Sequence, residues 1–109
     1  KVIAQKKSKT TMVFDEVDSG IGGAVSTAVG ERLKKLSNEK QVIVVTHSPQ
    51  VAAFGNNHFI VYKTVNNNES KINLKQLDKD QKVNEIARML SGKETTSEAI
   101  KAAKKLINE

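Results

Sequence analysis

At 109 residues, with 18 lysines and arginines against 12 acids, a net charge of +6 and 38% hydrophobic content, the chain is sized for one modest core. Zero cysteines exclude a disulfide framework and any thiolate metal site. No apolar run approaches the roughly 20 residues that a membrane helix needs.

The opening residues are too polar for a secretory leader, and with a start on Lys1 rather than Met the chain is expected to be an excised segment. Thr11-Met12-Val13-Phe14 reads as a short buried strand, broken by Asp15, Glu16 and Asp18 and then by glycines up to Gly23. Val25, Ala28, Val29, Leu33 and Leu36 have the spacing of a helix over 24–36 with one buried face, stopped at Asn38. Val42-Ile43-Val44-Val45 is uniformly apolar and is expected to be a strand buried on both faces. Ser48-Pro49 reads as the cap and first position of a short helix that ends at Gly55. Two strands over 58–64 and 71–77 flank Asn66-Asn67-Asn68 and form a hairpin. Asp78 with Gln81 caps a helix that buries Val83, Ile86, Ala87 and Leu90 and stops at Gly92. Thr95 with Glu98 caps a last helix using Ala99, Ile100, Ala103 and Ile107. The lysines are spread along the chain with no aromatic ring set among them, the pattern of a solvated surface rather than a stacking platform for single strands.

Strand, helix and strand over 11–46 make a βαβ unit, whose strands run parallel and finish at one sheet edge. Asp15 and Glu16 leave the first strand at that edge and Thr46-His47 leave the second there, in the crevice where open α/β sheets bind ligands. Pleat alternation sends Asp15 and Glu16 to opposite sides, fitting them for different tasks. One carboxylate can hold Mg²⁺ with substrate phosphates as further ligands; the other can orient or deprotonate an attacking water. His47 can donate a hydrogen bond to a phosphate oxygen as charge shifts in the transition state. Acids that merely solvate a turn are the plainer reading. Adjacent carboxylates after an apolar strand repel each other, however, unless something cationic sits nearby.

Thr11-Met12-Val13-Phe14-Asp15-Glu16-Val17-Asp18 resembles the Walker B motif of the ABC/SMC class of ATPases. Asp18-Ser19-Gly20-Ile21-Gly22-Gly23 is similar to the D-loop, and Val45-Thr46-His47-Ser48-Pro49-Gln50-Val51-Ala52-Ala53 to the switch-histidine loop, of the bacterial double-strand-break-repair members of that class. The resemblance is firm over 11–63 and extends less specifically to Arg88-Met89-Leu90-Ser91-Gly92. It implies an α/β fold, a partial P-loop NTPase (ABC-type) head with a parallel βαβ core plus a C-terminal β-hairpin and two helices, and residues 1–109 as the C-terminal segment of that head. It also implies roles: Asp15 for the metal, Glu16 and His47 for catalysis as attacking-water carboxylate and γ-phosphate sensor, and Asp18, Ser19 and Gly20 for the nucleotide across a dimer. The cofactors implied are ATP and Mg²⁺. The partners are the N-terminal part of the same head, a second head in an ATP-dependent dimer, and DNA through the full-length protein, with no membrane and a cytoplasmic, nucleoid-associated location.

No G-x-x-x-x-G-K-[ST] phosphate loop occurs in the chain. Leu90-Ser91-Gly92-Lys93-Glu94 mimics the ABC signature, but in this class the signature precedes Walker B, and a helix stop at Gly92 explains the string. The segment alone is therefore expected to be inactive. In this class the phosphate-loop strand lies between the His47 strand and a later one, so its absence is expected to leave strand edges that re-pair or self-associate. A small basic α/β module that binds nucleic acid or protein without catalysis, or an ABC/SMC ATPase of another role, is the alternative.

Overall fold

A computed structural model describes residues 10–16 and 22–108. Strand β1 (Thr11–Asp15) runs into helix α1 (Gly23–Leu36), which returns the chain to strand β2 (Gln41–Val45). The two strands are parallel and in register from Thr11↔Gln41 to Asp15↔Val45, so the expected βαβ unit is present. Its burial is one-sided. Met12, Phe14, Val42 and Val44 are half-buried, whereas Val13, Ile43 and Val45 on the alternate positions are exposed, Val13 by 65%. The expectation that Val42–Val45 is buried on both faces is thus corrected. Among the described residues the sheet has two strands and one covered face, so an apolar run suited to two covered faces finds only one.

Helix α2 (Pro49–Ala52) is a single turn, capped as expected by Ser48, whose Oγ accepts from the Val51 N–H at 3.3 Å. It lies against α1 where Gly30 meets the Phe54 ring. The buried positions of α1 are accordingly Ser26 and Gly30, with Val29, Leu33 and Leu36 half-buried, while Val25 and Ala28 turn outward. The expected face is rotated because the neighbouring helix calls for closeness more than for bulk. A Cβ on Gly30 would stand 2.3 Å from Phe54 Cδ2 and 2.8 Å from Cε2. Gly30→Ala is expected to destabilise the chain by about 1–3 kcal/mol in chemical denaturation despite alanine's better helix propensity. Phe54→Leu in the same chain should recover part of that loss; an unchanged midpoint for Gly30→Ala alone would show that the ring simply moves aside.

Strands β3 (Phe59–Asn66) and β4 (Glu69–Gln76) pair antiparallel from Phe59↔Gln76 to Asn66↔Glu69. The turn is tighter than the asparagine run suggested, since Asn66 belongs to β3. Asn67 and Asn68 have φ of 51° and 67°, the two successive left-handed residues that a two-residue hairpin turn needs and that asparagine tolerates well. Val61, Val65, Ile72 and Leu74 share one face of the hairpin and are exposed.

Helices α3 (Lys79–Ser91) and α4 (Ser97–Asn108) enclose the main apolar cluster, in which Ile86, Ala87, Ala99 and Ala103 are buried and Val83, Met89, Ile100, Leu106 and Ile107 pack around them. The Asp78–Gln81 capping box is formed in both directions, at 2.8 and 2.9 Å. Leu90, expected on the buried face, is instead exposed, and Met89 packs against the cluster in its place. The start of α4 is held by Thr96 rather than Thr95: Thr96 Oγ1 accepts from the Ala99 N–H at 3.0 Å. Gly92 ends α3 at φ 95°, as a helix stop should.

Candidate functional site

The register of the parallel pair decides which residues meet at its C-terminal edge. Asp15, the last residue of β1, stands opposite Val45, the last of β2, and the Glu16 N–H donates to the Val45 carbonyl at 2.8 Å. Thr46 and His47 follow directly, so Asp15, Glu16 and the His47 link leave the sheet at the same end. All three side chains are exposed. The link itself is ordered by the chain: Thr46 Oγ1 accepts from the Ser48 N–H at 2.9 Å, and Ser48 then caps α2. Asp18, Ser19 and Gly20, expected to form the nucleotide-contacting loop, lie outside the described residues.

Glu16 departs from the expected geometry. Its φ is 53°, in the left-handed region that glycine favours and glutamate rarely occupies. Its side-chain direction is therefore set by the turn and not by pleat alternation with Asp15. A residue held in such a conformation costs about 1–3 kcal/mol, and the main-chain bond to Val45 is one contact that holds it.

Among the described residues no group of three or more histidine, aspartate or glutamate side chains is placed to hold a metal. A divalent ion at this edge would take Asp15 as a hard oxygen ligand and complete its shell with phosphate and water oxygens, the habit of Mg²⁺. The carboxylate oxygens of that edge fit such a hard ion.

His47 borders an open cavity of about 1070 Å³ that runs along Val42–Val45 to Phe59–Val61 and is flanked by Glu85, Arg88 and Met89 of α3. His58 lines the same cavity. Its Nδ1 is buried without a hydrogen-bond partner, and burial, reinforced by the Lys82 ammonium and opposed by Glu85, holds its pKa below the ordinary imidazole value. Glu85 is paired with Arg88 at 2.9 and 2.7 Å; that pairing lowers the carboxyl pKa and raises the guanidinium's.

Three residues at the site escaped sequence reasoning. Gln50 accepts from the Ser48 hydroxyl at 3.1 Å and lies beside Gly23, joining the start of α2 to the start of α1. Lys34 and Lys82 reach the far end of α2 from α1 and α3. Lysines on amphipathic helices read as solvated, and nothing in their spacing marks these two.

No family model matches the chain. Over 103 residues it is 48% identical to the DNA repair protein RecN of Rickettsia felis, covering 94% of this chain and 19% of that one. Against RecN of Xylella fastidiosa (strain 9a5c) the identity is 48% over 91% of this chain and 18% of the relative. Against RecN of Bacillus subtilis it is 36% over 99% and 19%. The chain thus spans about a fifth of the length of the curated relatives it matches. A solved chain from work on the structural biochemistry of ATP-driven dimerization and DNA stimulated activation of SMC ATPases superposes with a TM-score of 0.58. Identity to it is 23%, over 81% of this chain and 52% of that one, a likeness of fold.

Proposed function

We propose that this chain, which is similar to the RecN proteins over the fifth of their length that it spans, is one part of an ATP-hydrolysing head acting in DNA double-strand break repair. The observation that carries the reading is the register of β1 with β2, which brings an adjacent pair of acids and a histidine-bearing link to one sheet edge. Bound at that edge, Mg²⁺ would offset phosphate charge, with Asp15 as its protein ligand. Glu16 accepts the proton of the attacking water. His47 donates to the γ-phosphate oxygens as negative charge grows there. Asp18, Ser19 and Gly20 contact the nucleotide held against a second head.

The phosphate-binding loop comes from another part of the protein. Two features favour this. Among the described residues β2 pairs only with β1 and β3 only with β4, and both face the one cavity lined by Val42–Val45 and Phe59–Val61. A further strand of the head, carrying the phosphate loop, fits between them. We extend the proposal to head dimerisation on ATP and contact with DNA through the complete protein, a reading supported by the likeness of fold to a chain from work on SMC ATPases. A cytoplasmic, nucleoid-associated setting belongs to the same proposal and is supported by the likeness to proteins named for DNA repair. Among the described residues no helix is long and apolar enough to cross a membrane.

Titration calorimetry tests the reading. The complete protein is expected to bind and hydrolyse ATP–Mg²⁺, and this segment alone to give no binding heat. A complete protein without ATPase activity overturns the assignment, and micromolar ATP affinity in the segment alone overturns the placement of the phosphate loop elsewhere.

A further inference from the structure

The stretch that carries His47 is short and held at both ends. Three residues, Thr46, His47 and Ser48, join the end of β2 to the start of α2. The first end is fixed by pairing with β1, the second by α2. Yet α2 is four residues long, and a single helical turn has no stability of its own because nucleation is unfavourable. What fixes α2 therefore fixes the second end of the link.

Two ammonium groups converge just beyond α2. Lys82 Nζ, from α3, donates to the carbonyls of Ala53 at 3.2 Å and Gly55 at 2.6 Å. Lys34 Nζ, from α1, donates to the Phe54 carbonyl at 3.2 Å and to Asn56 Oδ1 at 2.5 Å. Three successive carbonyls are thus bound by two cations, where the open carbonyls and the dipole of a helix C-terminus attract positive charge. Lys82 is held there against repulsion: burial first and the Lys34 ammonium second lower its pKa. The same turn is wedged sideways by Phe54 under Gly30.

We propose that Lys82, assisted by Lys34, is a positioning residue for His47, clamping the far end of α2 so that the Thr46-His47-Ser48 link presents its imidazole at the rim beside Asp15 and Glu16. The inference rests on the role given to His47 above. It also names a route by which the C-terminal helices reach the site. Lys82 lies one turn before Ile86, so packing of α3 on α4 sets where the clamp stands.

The test uses the complete protein with four variants: Lys82→Met, which keeps the stem and removes the donors, Lys82→Arg, His47→Gln, and the double variant His47→Gln/Lys82→Met. Lys82→Met is expected to lower kcat about tenfold with KM for ATP within about twofold, and Lys82→Arg to restore kcat to within about threefold. The double variant should be no slower than His47→Gln alone, since a clamp acting through His47 has nothing left to position. Normal turnover in Lys82→Met, or losses that multiply in the double variant, overturn the clamp while leaving the His47 role intact. Normal turnover in His47→Gln overturns that role, and the clamp with it. If Lys82→Met does not fold, Lys34→Met is read by the same criteria: the same kcat loss, absent in the His47→Gln background, supports the clamp, and wild-type turnover overturns it.

Discussion

Glu16→Gln is expected to leave the complete protein binding ATP and to cut its turnover by about 10²–10⁴-fold, the range that loss of a positioned proton acceptor produces. The amide keeps the size and branching of the carboxylate, so it places no new demand on a backbone at φ 53°. The bond that holds the residue comes from the main-chain N–H to the Val45 carbonyl and is untouched by the substitution. What changes is the ability to take a proton. Single-turnover hydrolysis alongside equilibrium ATP binding separates the two properties. Asp15→Asn is the useful contrast, because a weakened metal ligand should raise the Mg²⁺ concentration needed for activity. If Glu16→Gln hydrolyses ATP at the normal rate, the proton acceptor is another residue.

Ile86→Ala should be the most damaging single truncation for stability. Ile86 is the one large side chain fully buried among the described residues, packed among Ala87, Ala99 and Ala103. The buried residues beside it are alanines, too short to fill the space, with Val83, Met89, Ile100, Leu106 and Ile107 packed around them. The cost is about 2–5 kcal/mol. A domain of this size has about 5–15 kcal/mol in all, so urea unfolding should shift to markedly lower denaturant. A shift no larger than that of an exposed control such as Val61→Ala would mean that α3 and α4 are not the stabilising centre.

Much of this fold was written in local patterns. The capping box at Asp78–Gln81 and Ser48-Pro49 at the head of α2 each depend on a few adjacent residues and formed as read, and the asparagine turn formed in a tighter version that leaves Asn66 in β3. The convergence of Asp15, Glu16 and His47 was also legible, because a βαβ crossover leaves parallel strands little freedom in where they end. Hydrophobicity misled where it had to stand for available surface. It shows that Ile43 and Val45 suit burial; it cannot show whether this stretch of chain contains anything to bury them. The α1 face failed for a related reason, since Gly30 contributes by being small and no apolarity scale registers that. The left-handed turn at Glu16 and the lysines at α2 come from tertiary contacts, which no local pattern encodes.

The uncovered valines, isoleucine and leucine of the hairpin, set beside the bare side of the β1–β2 pair, bear on how such a segment must be handled at the bench and in the cell. Surfaces of this kind attract chaperones and one another until their natural cover arrives. If the proposed head is right, soluble yield should rise when its other part is synthesised at the same time, so that the greasy flank is sheathed as soon as it forms.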